Sequence, residues 1–300
     1  MTRPLYLCAG TQSSGSTLVS WAFLQREDMD GVLDARFDTL PQIPAQLSRP
    51  LAWCKFTIAC FRHSEVSSYL AQEGWSPIPM LVVRDCRSVF NSLRTKTYGR
   101  NGITADDPPL RLRLARFLED WKLFRDRNWP ILGYEQFVRT PEQSLQTLCK
   151  QLELPWDPAM LTWPKPAEQI ADSRYGNPTF MQSKHGGLLE TCQRDLTEIR
   201  TDSIPPRDLE WLEETFDELN RAMGYPIHVP STSTEGRDAR AVPRFENTRR
   251  YERQQRKTRL SRSVKAVMGG VKELFGKRPP VTGNSSAQPK NVASGPAVPR

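Results

Sequence analysis

Gly10-Thr11-Gln12-Ser13-Ser14-Gly15-Ser16-Thr17-Leu18-Val19 is the stretch that decides the fold. The apolar run Leu5-Tyr6-Leu7-Cys8-Ala9 precedes it, and a helix-patterned segment from Leu18 to Arg26 follows. That order reads as strand, tight Gly/Ser loop, helix N-terminus. Backbone N–H groups of such a loop converge on an anion, and the helix dipole favours negative charge there. The spacing G-x-x-x-x-G-x-[ST] is that of a phosphate-binding loop with one departure: Ser16 stands where a lysine is expected after the second glycine. An NTP-hydrolysing site uses that lysine on the β- and γ-phosphates. The loop therefore points to a phosphate ligand and away from an NTPase. An ordinary Gly/Ser turn capped by Ser14 or Ser16 is the alternative.

Outward from the loop, strands alternate with helices. Candidate strands are Gly31–Ala35, Leu51–Thr57, Met80–Val83 (after Pro77 and Pro79) and Pro130–Leu132. Helical patterns cover residues 61–73, 88–97, 110–127 and 206–223. Thr140-Pro141-Glu142-Gln143 reads as a capping box with proline at the first helical position, before Leu145, Leu148, Cys149 and Leu152 at helical spacing. Alternation of this kind implies an α/β fold with a parallel, doubly wound sheet flanked by helices. Ligands of such sheets bind beyond the C-terminal ends of the strands. The 10–17 loop, Lys55 and Arg84-Asp85 all fall at predicted strand ends.

Charge divides the chain in two. Of its 42 Lys/Arg and 34 Asp/Glu, 16 and 5 lie in residues 231–300, so the tail carries +11 and residues 1–230 carry −3. The basic character belongs to the tail, so a nucleic-acid partner for the folded part is not expected. We expect a folded domain over 1–230 and a disordered basic tail over 231–300. Within the tail, Leu260, Val264, Val267, Met268, Val271, Leu274 and Phe275 share one helical face among basic residues. This amphipathic 260–275 segment is a candidate for an anionic membrane surface, a partner protein or nucleic acid, with a solvated basic linker of transient helicity as the alternative. Thr2-Arg3-Pro4 is followed by only five apolar residues, which does not read as a signal peptide, and no run approaches a membrane span. Six scattered cysteines read as free thiols, and the expected location is the cytoplasm.

A second segment, Leu81-Val82-Val83-Arg84-Asp85-Cys86-Arg87-Ser88-Val89-Phe90-Asn91-Ser92-Leu93, gives the first loop a context. Together they resemble the sulfotransferase family that uses 3′-phosphoadenylyl sulfate (PAPS). The resemblance implies that Gln12, Ser13, Ser14, Gly15, Ser16 and Thr17 cradle the 5′-phosphosulfate. It also implies that Arg84 and Ser92, eight residues apart, hold the 3′-phosphate. Arg offers a permanently charged fork to a phosphate, which fits. Gly133-Tyr134-Glu135-Gln136-Phe137 resembles a later family block and makes Tyr134 a nucleotide neighbour. Ser183-Lys184-His185-Gly186-Gly187 resembles the late loop that closes over the nucleotide, which adds Lys184, His185 and Gly186. The likeness spans roughly residues 4–228.

Two departures bear on catalysis. Many relatives carry Lys or Arg where this chain has Ser13. In the small-molecule branch the third strand ends K-T-H with His as base; Lys55-Phe56-Thr57 keeps the Lys and lacks the His. Lys55 or Lys184 is then the candidate cation for the leaving phosphate, and Asp34 or His63 the candidate base. The implied reaction is direct sulfuryl transfer from PAPS to a hydroxyl or amine, by positioning and charge stabilisation and with no metal. A glycan or lipid acceptor is favoured over others, and oligomeric state is left open. Two other functions stand beside it: a P-loop small-molecule kinase, against which Ser16 counts, and a nucleotide-binding module that has lost catalysis, which Ser13 and the absent histidine favour.

Overall fold

The chain is represented by a computed structural model, which describes residues 3–35, 47–58, 62–97, 108–170, 187–194, 201 and 203–226. All lie within the unit Met1–Glu252. The expected tail, its 260–275 segment and the domain boundary at 230 lie outside the described residues.

Five strands, β1 (Arg3–Gly10), β2 (Met29–Ala35), β3 (Leu51–Thr57), β4 (Trp75–Val83) and β5 (Ile131–Gly133), form one sheet in the order β2-β3-β1-β4-β5. Every pairing is parallel. The fold is therefore α/β with a parallel, doubly wound sheet, as the alternation predicts. β1 is central and buried on both faces, which is why Leu5 to Ala9 is apolar without alternation. After β1 the chain runs to β2 and β3 on one side; β4 and β5 lie on the other. The direction reverses at β1/β4, and the crevice outside the ends of those strands is where such sheets bind ligands.

The period-2 pattern of each strand separates two cores. Leu5, Leu7, Ala9, Cys54, Phe56, Leu81 and Val83 face one side. There they meet α2 (His63–Gln72), α3 (Cys86–Ser92), α4 (Pro108–Asp126) and the last helix among the described residues, α10 (Pro206–Met223). Tyr6, Cys8, Trp53, Met80 and Val82 face the other. They meet α1 (Ser16–Leu24), α5 (Tyr134–Arg139), α6 (Pro141–Gln151) and, beyond the short turns α7 (Ala159–Thr162) and α8 (Ala167–Ile170), α9 (Leu188–Arg194). Leu110, Leu114, Phe117, Trp121 and Phe124 form the buried stripe that seats α4.

Two local expectations change. β4 begins at Trp75, so Pro77 and Pro79 lie inside the strand. Leu81 donates its N–H to the Pro130 carbonyl at the start of β5. Residues 77 and 79 share its parity, so their missing N–H groups point to the side where β5 has not begun, the position a sheet tolerates proline. The capping box at Thr140 does not form. The Thr140 hydroxyl accepts from the Gln136 side-chain amide at 2.8 Å instead, engaged by the preceding α5, a helix the sequence pattern does not announce. Pro141 does begin α6, and Gly224 ends α10 where expected. Five cysteines, at 8, 54, 86, 149 and 192, are buried and free. No helix among the described residues is long and apolar enough to cross a membrane.

Candidate active site

The first loop leaves β1 at Gly10 and enters α1 at Gly15. Both glycines are required by close approach. A Cβ on Gly10 would stand 2.5 Å from Ser14 Oγ, and one on Gly15, whose φ is +85°, would stand 2.1 Å from the Tyr134 ring. Gly15 is the N-cap of α1, and no side chain caps it. The alternative of a turn capped by Ser14 or Ser16 is thus not what the chain builds. Leu18 and Val19 already donate to the Gly15 carbonyl at 2.9 and 3.2 Å, so the N–H groups of Ser16 and Thr17, which precede the first intrahelical bond, are the ones open to a ligand. Ser14 Oγ is buried and has no hydrogen-bond partner among the described residues. A buried orphan hydroxyl beside a helix N-terminus fits a cradle for an anion, while the Ser14 N–H itself closes the turn on the Thr11 carbonyl at 3.2 Å.

Ser13 takes a left-handed φ of 65°, a strain of order 1–3 kcal/mol for a non-glycine residue. Two groups across the edge hold it there. Arg84 Nη1 donates to the Ser13 carbonyl at 3.1 Å, and Ser92 Oγ donates to Ser13 Oγ at 3.0 Å. Arg84 also lies over the Tyr134 ring, 4.5 Å from its centroid. Its Nε is buried with no partner among the described residues. The fold therefore brings Ser13, Gly15, Arg84, Ser92 and Tyr134 into one cluster at the β1/β4 crevice. Ser16 and Thr17 open α1 beside it. Gln12, on the other flank, accepts from Arg113 of α4 at 2.6 Å.

Beneath Arg84 the segment is anchored by buried charge. Asp85 caps α3, accepting from the Arg87 N–H at 2.9 Å and the Ser88 N–H at 3.3 Å. The Arg87 side chain returns to Asp85 at 2.9 Å and reaches Glu213 of α10 at 2.9 Å, with both members of the Arg87–Asp85 pair essentially inaccessible. Asp85 N–H donates to Glu135 at 3.0 Å, and the Tyr225 hydroxyl donates to the other Glu135 oxygen at 2.8 Å. Burial, and then the Glu135 carboxylate, raises the Tyr225 pKa well above its ordinary value, so it stays a donor. Asp85 therefore pairs with Arg87 and not with its neighbour Arg84. The sequence reading omits Arg87, Glu135, Glu213 and Tyr225. The acid–base spacing of Asp85 and Arg87 is the one local signal that could have found part of this network.

On the other side of β1, Lys55 is 6% exposed at its side chain and donates to Asp34, 41% exposed, at 2.7 Å. Thr57, where the resemblance expects histidine, lies 3.4 Å from Lys55 Nζ and 3.5 Å from Asp34. Lys55 and Asp34, expected separately, thus form one unit at the ends of β3 and β2. His63 does not join it. Its side chain is buried at the start of α2 among Phe124 (4.8 Å, edge on), Trp129 (5.6 Å) and Phe56 (6.1 Å). Burial lowers its pKa to about 4, and neither ring nitrogen has a partner among the described residues. The structure corrects that expectation: His63 is a packed aromatic, not a base at the edge. Lys184, His185 and Gly186 lie outside the described residues.

No protein-family model and no curated protein matches the chain. Among solved structures it is similar to the sulfotransferase domain from the curacin biosynthetic pathway, at 13% identity and a TM-score of 0.51, over 75% of this chain and 99% of that one. It is also similar to the sulfotransferase domain of the Synechococcus PCC 7002 olefin synthase (16% identity, TM-score 0.46, 72% and 95%). A third likeness is to mouse sulfotransferase SULT7A1 complexed with PAP (13%, 0.48, 74% and 88%). The curacin likeness, spanning nearly the whole of that domain, agrees with the strand order and the β1 loop: the chain has a sulfotransferase fold.

Proposed function

We propose that the protein is a PAPS-dependent sulfotransferase that moves a sulfuryl group to a hydroxyl-bearing acceptor. The observation that carries this reading is the contact of Arg84 and Ser92 with Ser13 at the β1/β4 crevice. It joins the two segments whose resemblance implies the two phosphate ends of one nucleotide.

The residues divide into binding and chemistry. The first loop and the α1 N-terminus take the 5′-phosphosulfate, and Arg84 with Ser92 takes the 3′-phosphate. Tyr134 holds the Arg84 guanidinium and closes over Gly15. The acceptor oxygen attacks sulfur, the bond from sulfur to the bridging oxygen breaks, and its electron pair leaves on the phosphate of adenosine 3′,5′-bisphosphate (PAP). Lys55 offsets that charge. Asp34, half exposed beside Lys55, takes the acceptor's proton. Such catalysis is mostly positioning, as in phosphoryl transfer.

Calorimetric titration of the full chain tests the reading against a kinase. PAP should bind without Mg²⁺, and ATP with Mg²⁺ should not. Tight ATP·Mg²⁺ binding without PAP binding would overturn it. The basic tail is a separate proposal: full-length protein should sediment with anionic liposomes at low salt and a 1–230 fragment should not, each basic residue near the surface contributing on the order of 1 kcal/mol. Equal sedimentation of both removes that role.

A further inference from the structure

Strand order lines up three groups on the β3 side of the edge. Asp34 is on β2, Lys55 on β3, and the first loop leaves β1, so β3 lies between the carboxylate's strand and the loop's strand. The end of β3 is stitched to the start of the loop. Thr57 is in register with Gly10, and Ile58 donates its N–H to the Gly10 carbonyl at 2.8 Å. Lys55 therefore stands between a carboxylate and the anion cradle. Its nearly inaccessible ammonium donates to Asp34 at 2.7 Å and to Thr57 at 3.4 Å, while Asp34 is half open to water. Paired in this way, Lys55 presents little net charge to an anion as long as Asp34 is ionised. A protonated Asp34 would no longer balance it.

We propose that the Lys55–Asp34 pair is a gate that withholds the Lys55 charge from the donor until the acceptor's proton reaches Asp34. The acceptor O–H proton moves to the Asp34 carboxylate as the oxygen bonds to sulfur. The bond from sulfur to the bridging oxygen breaks, and its electron pair stays on the phosphate of PAP. Lys55, facing a neutral carboxyl, turns from β2 towards that phosphate. The base and the cation thus act in sequence through one ion pair, and donor cleavage follows acceptor deprotonation. This gate rests on the function proposed above, since it takes the loop's anion to be the 5′ end of PAPS.

The test needs no acceptor: it measures PAP affinity by calorimetry and PAPS cleavage by water in the full chain. Asp34→Asn keeps a hydrogen-bond acceptor for Lys55 and removes the opposing charge. It should tighten PAP about tenfold, the lower end of a charge-assisted contact, because Lys55 is free to turn. It should speed PAPS cleavage roughly 10- to 100-fold, the scale of one donor aimed at the leaving group; bulk water at the open rim takes the attacking water's proton. In a Lys55→Met background the same substitution should change PAP affinity by less than about twofold, since Asp34 is solvated and screened. That non-additivity separates a moving Lys55 from simple relief of repulsion between Asp34 and phosphate, which would act equally in both backgrounds. Asp34→Ala, which also lacks the charge, serves if Asp34→Asn does not fold. If wild type binds no PAP, the proposed function falls and the gate with it. If wild type binds PAP, the gate alone is overturned by a folded Asp34→Asn protein that binds PAP no tighter, tightens it equally without Lys55, or cleaves PAPS no faster.

Discussion

On the β4 side of the sheet edge, Arg84 is held by the Ser13 carbonyl and the Tyr134 ring, above an anchor of Asp85, Arg87, Glu213, Glu135 and Tyr225. On the β3 side, Lys55 has Asp34 and Thr57, and Asp34 is half open to water. The first side uses three helices and the turn that follows α10 to fix a single guanidinium. The second leaves a cation and a carboxylate in reach of each other at an accessible rim. A nucleotide donor needs the same rigid site in every turnover, whereas an attacking acceptor needs access. The contrast is what the proposed function expects, with binding on the β4 side and chemistry on the β3 side.

The largest expected effect breaks the anchored side. Arg87→Met leaves Asp85 and Glu213 buried without their cation and should cost about 3–5 kcal/mol in denaturant unfolding. Lys55→Met, whose partner is already half solvated, should cost about 1 kcal/mol or less. Equal losses would erase the contrast in rigidity.

A buried carboxyl away from the edge calibrates what unpaired burial costs in this core. Asp120 is buried and accepts the His63 N–H at 2.8 Å; burial raises its pKa to about 7. The folded state therefore keeps a proton that the unfolded chain has released above about pH 4. Stability is fully present below pH 4, falls as pH rises towards 7, and then levels. His63, held neutral down to about pH 4, acts oppositely, losing stability as pH falls from its ordinary 6.5. Asp120→Asn removes only the first effect. The stability of the variant relative to wild type should rise by on the order of 2–4 kcal/mol between pH 4 and pH 8. A flat difference would show that Asp120 ionises freely.

The smallest effect concerns the far end of the anchor. Tyr225→Phe removes one hydrogen bond to Glu135 and should cost about 1 kcal/mol of stability. PAP affinity should follow it down if Glu135 positions Arg84, because Glu135 also takes the Asp85 N–H next to that arginine. Lost stability with unchanged affinity would confine Tyr225 to folding.

The fold was legible because its signals are local. The apolar runs of β1 and β3, the helical stripe of α4 and Gly224 after α10 each act within a few residues. β4 was read short because the prolines' harmlessness depends on where β5 starts, some fifty residues later. The site was legible in part. The Gly/Ser loop and the Arg84–Ser92 spacing are chain-local, and they converge. The Lys55–Asp34 pair, Arg113 at Gln12, and Glu213 at Arg87 join residues 21, 101 and 126 positions apart, and no spacing rule reaches that far. His63 misled because a histidine's residue type suggests a base, while its burial is decided by Phe124 and Trp129 from elsewhere in the chain.

The central claim is the division of labour across the edge, and PAP titration of two variants tests it most directly. Arg84→Ala should weaken PAP binding by about 2–4 kcal/mol, the scale of a lost charge-assisted phosphate contact in a desolvated site. Lys55→Ala should leave PAP affinity within about 0.5 kcal/mol, because its charge matters as the leaving group forms, and should lower turnover instead. Equal losses of PAP affinity in the two variants, or an unchanged affinity in a folded Arg84→Ala protein, would contradict the account.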